Sequence, residues 1–284
     1  MGTRLMISSR FVRQWFLMLC LLIAAACANT RYQPEYQPEI NQPGKDVAWW
    51  PTAQVLVNKM LDMAKVTPED YVIDLGSGDG RTVITASKRG ARALGIEYDP
   101  NMVALSKRNA AKEGVTDKAQ FIEADLFKSD FSQATVITMF LSETINHKLR
   151  PQILNLKPGT RVVSNSFTMG EWTADQTVTV EHSKECSPYC IAYLWVVPAK
   201  VEGVWILPQG ELTLKQSFQT FSGTLHSGAN TVPVTNGKLS GDLINFNAGN
   251  VKYTGRVSGS TMEGIYESDG ITTQWNATKV GKVL

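Results

Sequence analysis

The chain has 284 residues, 43% hydrophobic and 19% charged, an ordinary globular composition that excludes a chain disordered along its length. That length accommodates one large domain or two modest ones. Its 28 Lys and Arg against 26 Asp and Glu give a formal net charge of +2, which offers no argument for nucleic-acid binding.

The first predicted element is a leader. Arg4, Arg10 and Arg13 precede an apolar run from about Trp15 to Ala28, shorter than the ~20 residues that span a bilayer. With the small residues Ala24, Ala25 and Ala26, this pattern predicts a secretory signal peptide over residues 1–28. Ala26-Cys27-Ala28 fits a peptidase site, and "IAAAC" equally resembles a bacterial lipoprotein box that would make Cys27 a membrane tether. Both outcomes predict an exported protein, periplasmic or membrane-anchored, in a bacterial envelope. Without residues 1–28, 25 basic residues stand against 26 acidic ones, a net charge of −1. Residues 29–46, "NTRYQPEYQPEINQPGKD", double the string YQPE and predict an extended linker.

Residues 47–199 read as one α/β domain. "PTAQVLVNKMLDMAKV" sets Val55, Leu56, Lys59, Met60 and Met63 at helical spacing, with Pro51 suited to a first turn. "DYVIDLG" reads as a buried strand, "RTVITASKRG" as a helix closed by Gly90, and "ARALGIEYD" as a second strand. A helix to Gly114 follows, then strands in "AQFIEADLF" and "ATVITMFL", a helix in "ETINHKLRPQILNLKPG", and a fifth strand in "TRVVSNSF". "QTVTVEHS" and "CIAYLWVVP" form a hairpin across "KECSPYC". This alternation predicts a Rossmann-like, mostly parallel seven-stranded sheet with a terminal antiparallel hairpin. In an exported protein, Cys186 and Cys190 read as a small disulfide loop. A zinc site would need two further ligands, and His182 is the near candidate.

Residues 200–284 lack a helical period. Short β-rich runs are separated by Gly, Asn and Ser-Gly turns, and "TNGK" and "SDGI" read as hairpin signals. They predict an all-β meander of six to eight strands or a small barrel.

Chemistry gathers in "VIDLGSGDGR". Asp74 ends the first strand, and Gly76, Gly78 and Gly80 let the backbone turn sharply against a ligand. A dinucleotide fingerprint would place its third glycine one residue later, which argues against NAD or FAD. Glu97 closes the second strand and can accept from both hydroxyls of a ribose; Asp125 closes the third and can accept from the adenine amine. Three acids thus fall at the carboxyl ends of successive strands, where open α/β sheets bind ligands.

"VIDLGSGDGR", "GIEYD" and "FIEADLF" resemble the cofactor motifs of class I S-adenosylmethionine-dependent methyltransferases. "WWPTAQVLVNKMLDMA", "FLSETINHKLRPQI" and "LKPGTRVVSNSF" extend the resemblance to the mitochondrial and archaeal protein-lysine methyltransferases. The likeness implies S-adenosyl-L-methionine as cofactor and a protein lysine as acceptor. It implies that Asp74, Gly76 and Gly78, with Ser77, line the methionine end, and that Glu97 and Tyr98 hold the ribose. Asp125 and Leu126 would hold the adenine, and Thr52 would close over the cofactor. The chain departs from the family at "WWPTA", where an aromatic–Val–Pro–Thr–Pro entry is usual, and at "SET", where a Pro is usual. Trp49, Trp50, Phe140 and Glu143 are candidates for the acceptor slot, and neither a general base nor a metal is assigned. A non-catalytic envelope binding protein on the same scaffold is the alternative.

Overall fold

The computed structural model describes residues 35–181, 185–268 and 270–281, and a compact unit begins at Pro38. The predicted signal, Cys27, the first residues of the linker and His182 lie outside the described residues. Among the described residues no helix is long and apolar enough to cross a membrane.

Helix α1 (Gln54–Met63) opens the α/β part and buries Leu56, Val57, Met60, Leu61 and Met63. Pro51 precedes it, outside the predicted first turn, because Thr52 is tied down by Asn165 and Arg81 before the helix begins. There follow β1 (Tyr71–Leu75), α2 (Arg81–Lys88), β2 (Arg92–Glu97), α3 (Pro100–Lys112), β3 (Ala119–Glu123) and β4 (Val136–Met139). Helix α4 (Glu143–Ile153), β5 (Arg161–Asn165), β6 (Gln176–Thr179) and β7 (Ile191–Val196) complete this part. Caps explain two of the helix starts. The Asp99 side chain accepts from Asn101 N–H with Pro100 at the first position, and Ser142 accepts from Ile145 N–H.

The strands lie in the order β3-β2-β1-β4-β5-β7-β6. All neighbours are parallel except β7, which runs antiparallel to β5 and to β6. Chain direction across the sheet reverses between β1 and β4, so their carboxyl ends flank the switch point. Alternation along β1 feeds two cores. Val72 and Val136 join α1, α2 and Phe121 on one face; Ile73, Leu75 and Ile137 join α4, Trp172 and Trp195 on the other. Each fully buried Ile or Leu side chain stabilises the fold by ~1.5–3 kcal/mol.

The remaining strands are β8 (Gly203–Leu207), β9 (Gly210–Ser217), β10 (Thr220–Ser227), β11 (Asn230–Ser240), β12 (Leu243–Ala248), β13 (Val251–Ser258), β14 (Thr261–Ser268) and β15 (Ile271–Lys279). They form a closed eight-stranded meander in which β15 pairs back onto β8. Its interior is packed with side chains. Trp205, Leu212, Leu214, Phe246 and Trp275 are buried there, and the Phe246 and Tyr253 rings stack at 4.7 Å. "SDGI" is a hairpin as predicted, with Ser268 opposite Ile271. "TNGK" is not: it lies inside β11, where the register shifts between Thr235 and Lys238. Asn236 takes a positive φ of 54°, and Gly237 sits against Phe221 so closely that an added Cβ would stand 2.2 Å from its carbonyl oxygen. The dipeptide therefore bulges the strand around the Phe221 ring, and reversal waits for Gly241.

Phe218 joins the barrel to the sheet part. Its ring stacks on Trp172 (6.0 Å, 9° between planes), the Arg150 guanidinium lies 5.4 Å from its centroid, and Gln219 Nε2 donates to Thr173 O at 2.7 Å.

Candidate active site

The turn after β1 is built from glycines at positive φ: 77° at Gly76, 54° at Gly78 and 83° at Gly80. Non-glycine residues adopt this region at a cost of about 1 kcal/mol or more. Contacts hold the turn in place. Gly76 N–H donates to Ile96 O, Gly80 N–H donates to Ser77 O, and Ser106 Oγ donates to Gly78 O. Arg81 pairs with Asp79 and donates to Thr52 O, so it binds the turn to the segment before α1.

The three predicted acids come together. Gly78 N–H donates to Glu97 Oε2 at 2.9 Å, and Tyr98 N–H and Asp99 N–H donate to Oε1 at 2.8 and 3.0 Å. The Glu97 carboxylate is thereby aimed by backbone alone. Asp74 is only 6% exposed and accepts from Thr138 Oγ1 at 2.6 Å. Burial pushes its pKa up to about 7 against that hydrogen bond, and the charges of Glu97 and Asp79 add to the rise. Asp125 accepts from Phe127 N–H at 3.0 Å and from Lys45 Nζ at 3.2 Å. The Phe127 N–H and Lys45 together hold its carboxyl below the usual range.

A cavity of about 120 Å³ lies against these groups. All nine residues predicted for the site line it: Thr52, Asp74, Gly76, Ser77, Gly78, Glu97, Tyr98, Asp125 and Leu126. So do Trp49, Trp50 and Phe140, whereas Glu143 does not; its Oε1 instead accepts from Thr168 Oγ1 at 2.8 Å.

Sequence reasoning missed two features. First, residues 38–49 do not continue the extended linker but fold back as a strap over the cavity. Asn41 N–H donates to Trp49 O and Trp49 N–H to Gln42 O, both at 2.9 Å. Lys45 reaches Asp125 and lies 5.0 Å from the Tyr98 ring centroid. Trp49 Nε1 stands 2.7 Å from where a Cβ on Gly78 would fall. Second, Phe167 and Tyr189 join Phe140 and Trp50 in an aromatic group. Phe140 lies 5.1 Å from Tyr189 and 6.0 Å from Phe167, and Trp50 lies 5.5 Å from Tyr189. Tyr189 belongs to the Cys186–Cys190 loop, whose cysteines are bonded as expected. The signal present in the sequence was an aromatic residue between two cysteines, in a loop read for its cysteines alone.

Carboxylates at three strand ends suit a ligand that offers hydroxyls, an amine and a positive charge. Beside them, aromatic rings suit an apolar or cationic acceptor group. Comparison with known proteins agrees with this chemistry. A profile described as the ANTKMT methyltransferase domain matches residues 74–176. The protein-lysine N-methyltransferase of Saccharolobus islandicus is 41% identical over 138 residues, covering 48% of this chain and 86% of that protein. The adenine nucleotide translocase lysine N-methyltransferase of Mus musculus is 33% identical over 118 residues, covering 41% of this chain and 51% of that protein. The chain thus spans about half the length of this mammalian relative. The solved structure of an RNA methyltransferase from Salinibacter ruber with S-adenosyl-L-homocysteine is 44% identical; the match covers 54% of this chain and 96% of that one, at a TM-score of 0.50. Matched over most of the archaeal protein's length, the chain belongs to the ANTKMT protein-lysine methyltransferase family and is a class I S-adenosylmethionine-dependent methyltransferase.

Proposed function

We propose that the chain methylates the side-chain amine of a protein lysine, as the name of its archaeal relative states for that protein. The observation that carries the reading is the aromatic group of Trp50, Phe140, Phe167 and Tyr189, two of whose rings line the carboxylate-bearing cavity. The residues fit the cofactor. Gly78 leaves backbone open where a side chain would collide with Trp49, and the carboxylates offer acceptors on three successive strand ends.

When bound, S-adenosylmethionine would supply a sulfonium methyl group open to in-line attack, its S–CH3 bond breaking as the N–CH3 bond forms and S-adenosylhomocysteine leaving as the neutral thioether. Glu97 accepts from the ribose hydroxyls, with its orientation fixed by three N–H groups. Asp125 accepts from the adenine amine, beside Leu126 and Tyr98. Asp74, with Gly76, Ser77 and Gly78, lines the methionine end, and Thr52 closes it. An attacking amine must first shed a proton, since ammonium has no lone pair. An apolar aromatic slot favours the neutral amine by withholding water from the charged form.

The chain's place of action is read as exported. The basic and apolar leader pattern at residues 1–28 is what supports this reading.

The test is incubation of the purified protein with radiolabelled S-adenosylmethionine and, separately, total cellular protein and total RNA. Label recovered as methyl-lysine is expected. Label confined to RNA, the acceptor class named for the Salinibacter ruber protein, would replace the lysine reading.

A further inference from the structure

The hairpin that ends the sheet is what brings a covalently closed loop to the site. Strand β7 runs against β5, with Asn165 opposite Ala192, so β7 starts at the carboxyl edge of the parallel strands. Ser166 N–H donates to Ile191 O at 2.7 Å and Val180 N–H to Cys190 O at 2.9 Å. These bonds fix the base of the loop beside the segment that carries Phe167. Within it, Cys186 is buried and bonded to Cys190, and Tyr189 is held one residue from that crosslink.

The Tyr189 ring stands 5.1, 5.5 and 6.1 Å from Phe140, Trp50 and Phe167. The core rings Trp172 and Trp195 are fully buried. By contrast, Tyr189, Phe140 and Phe167 are each half-buried and Trp50 is 38% exposed. Of the four, Trp50 and Phe140 line the cavity that holds the strand-end carboxylates, and Tyr189 packs against both of these rings.

Resting on the methyltransfer reading above, we propose that Tyr189 is a specificity-determining residue for the acceptor, and that the Cys186–Cys190 bond positions it as one wall of the acceptor slot. The remaining walls are Trp50, Phe140 and Phe167. The slot takes a slender side chain ending in an amine, which passes between ring faces to reach the cofactor's methyl group. The disulfide is a positioning element. A ring closed over five residues limits where Tyr189 can move, so the slot exists before the acceptor arrives.

Wild type, Tyr189→Ala, Tyr189→Phe and the Cys186→Ser/Cys190→Ser pair are compared in two measurements. Calorimetry gives the dissociation constant for S-adenosylmethionine, and label transfer to total cellular protein gives the half-saturating acceptor concentration. Tyr189→Ala is expected to raise half-saturation about tenfold with cofactor affinity within about twofold of wild type. Tyr189→Phe should stay near wild type, and the double serine variant should shift in the same direction as Tyr189→Ala. The cofactor measurement doubles as the check that each variant is folded. Unchanged half-saturation in Tyr189→Ala, or an equal loss of cofactor affinity, overturns the proposal while wild-type transfer still stands. A wild type that binds cofactor yet labels no protein overturns the lysine reading first, and this proposal with it.

Discussion

Asp74 is the site acid whose charge changes near neutral pH. Its carboxyl ordinarily titrates at 3.8 and is raised to about 7 by burial. A cofactor that brings positive charge beside it favours the carboxylate and lowers that value again. Binding therefore expels a proton wherever the free protein still holds one. Cofactor affinity should rise with pH, by at most about tenfold per unit, up to about pH 7 and level off above. Calorimetry from pH 5.5 to 8.5 in buffers of different ionisation enthalpy measures both affinity and the released proton. Asp74→Asn should flatten the profile; a slope unchanged in that variant would place the titration elsewhere. The three acids were legible because Asp74 and Glu97 fall at the ends of β1 and β2 and Asp125 two residues past β3, and strand ends on a parallel sheet share one edge. Lys45 was not, since a segment with Pro and no period gives no signal of where it folds. Tyr189 was equally hidden, because its distance from Phe140 along the chain is closed only by the antiparallel course of β7.

The strap at residues 38–49 lies over the cavity predicted to hold the cofactor. Lys45 holds Asp125 across the cavity, and about 120 Å³ is well below the ~300–1,000 Å³ of pockets that hold such ligands. Cofactor entry is therefore expected to shift the strap. Lys45→Ala should speed cofactor association about twofold to fivefold and speed release as well, since an exposed ion pair is a weak latch that salt screens. Stopped-flow fluorescence can read this from Trp49, which lines the cavity. Rates that match wild type at low salt would show that the strap does not gate. At this scale the helices and strands followed from hydrophobic period and from Gly90 and Gly114 as terminators, both at positive φ. "TNGK" misled because an Asn-Gly pair supplies positive φ to a bulge as readily as to a hairpin. Only the neighbouring strand decides between them, and Phe221 across from Gly237 demands the bulge.

The unit from Pro38 onward joins a sheet part and a barrel, and Phe218 marks the joint. Barrel turns place glycine at positive φ, at positions 228, 241, 249, 259 and 270, whereas the turn between β9 and β10 places Phe218 there, at 53°. The strain is offset by its stack on Trp172. Phe218→Ala should weaken the coupling of barrel to sheet by about 1–3 kcal/mol. Scanning calorimetry should then resolve two thermal transitions, where wild type is expected to give one. A single transition in the variant, merely shifted, would mean that the coupling runs through other contacts. The β-rich runs and turn residues left two outcomes, an open meander or a small barrel, and did not choose between them. Pairing of β15 with β8 depends on strand tilt and stagger, which no local pattern records.

That closure also imposes an order in time. Every other barrel pairing joins strands adjacent in the chain, so each can zip up across a short loop at little entropic cost. The seam joins the two ends of the segment and is registered by Thr278 with Ile206 and Lys279 with Trp205. It therefore forms after the hairpins have zipped, and until it does the barrel is an open, curled sheet with two unsatisfied edges. The Trp205 ring lies beneath Lys279 at that seam, so the final pairing step also covers one of the largest side chains in the interior.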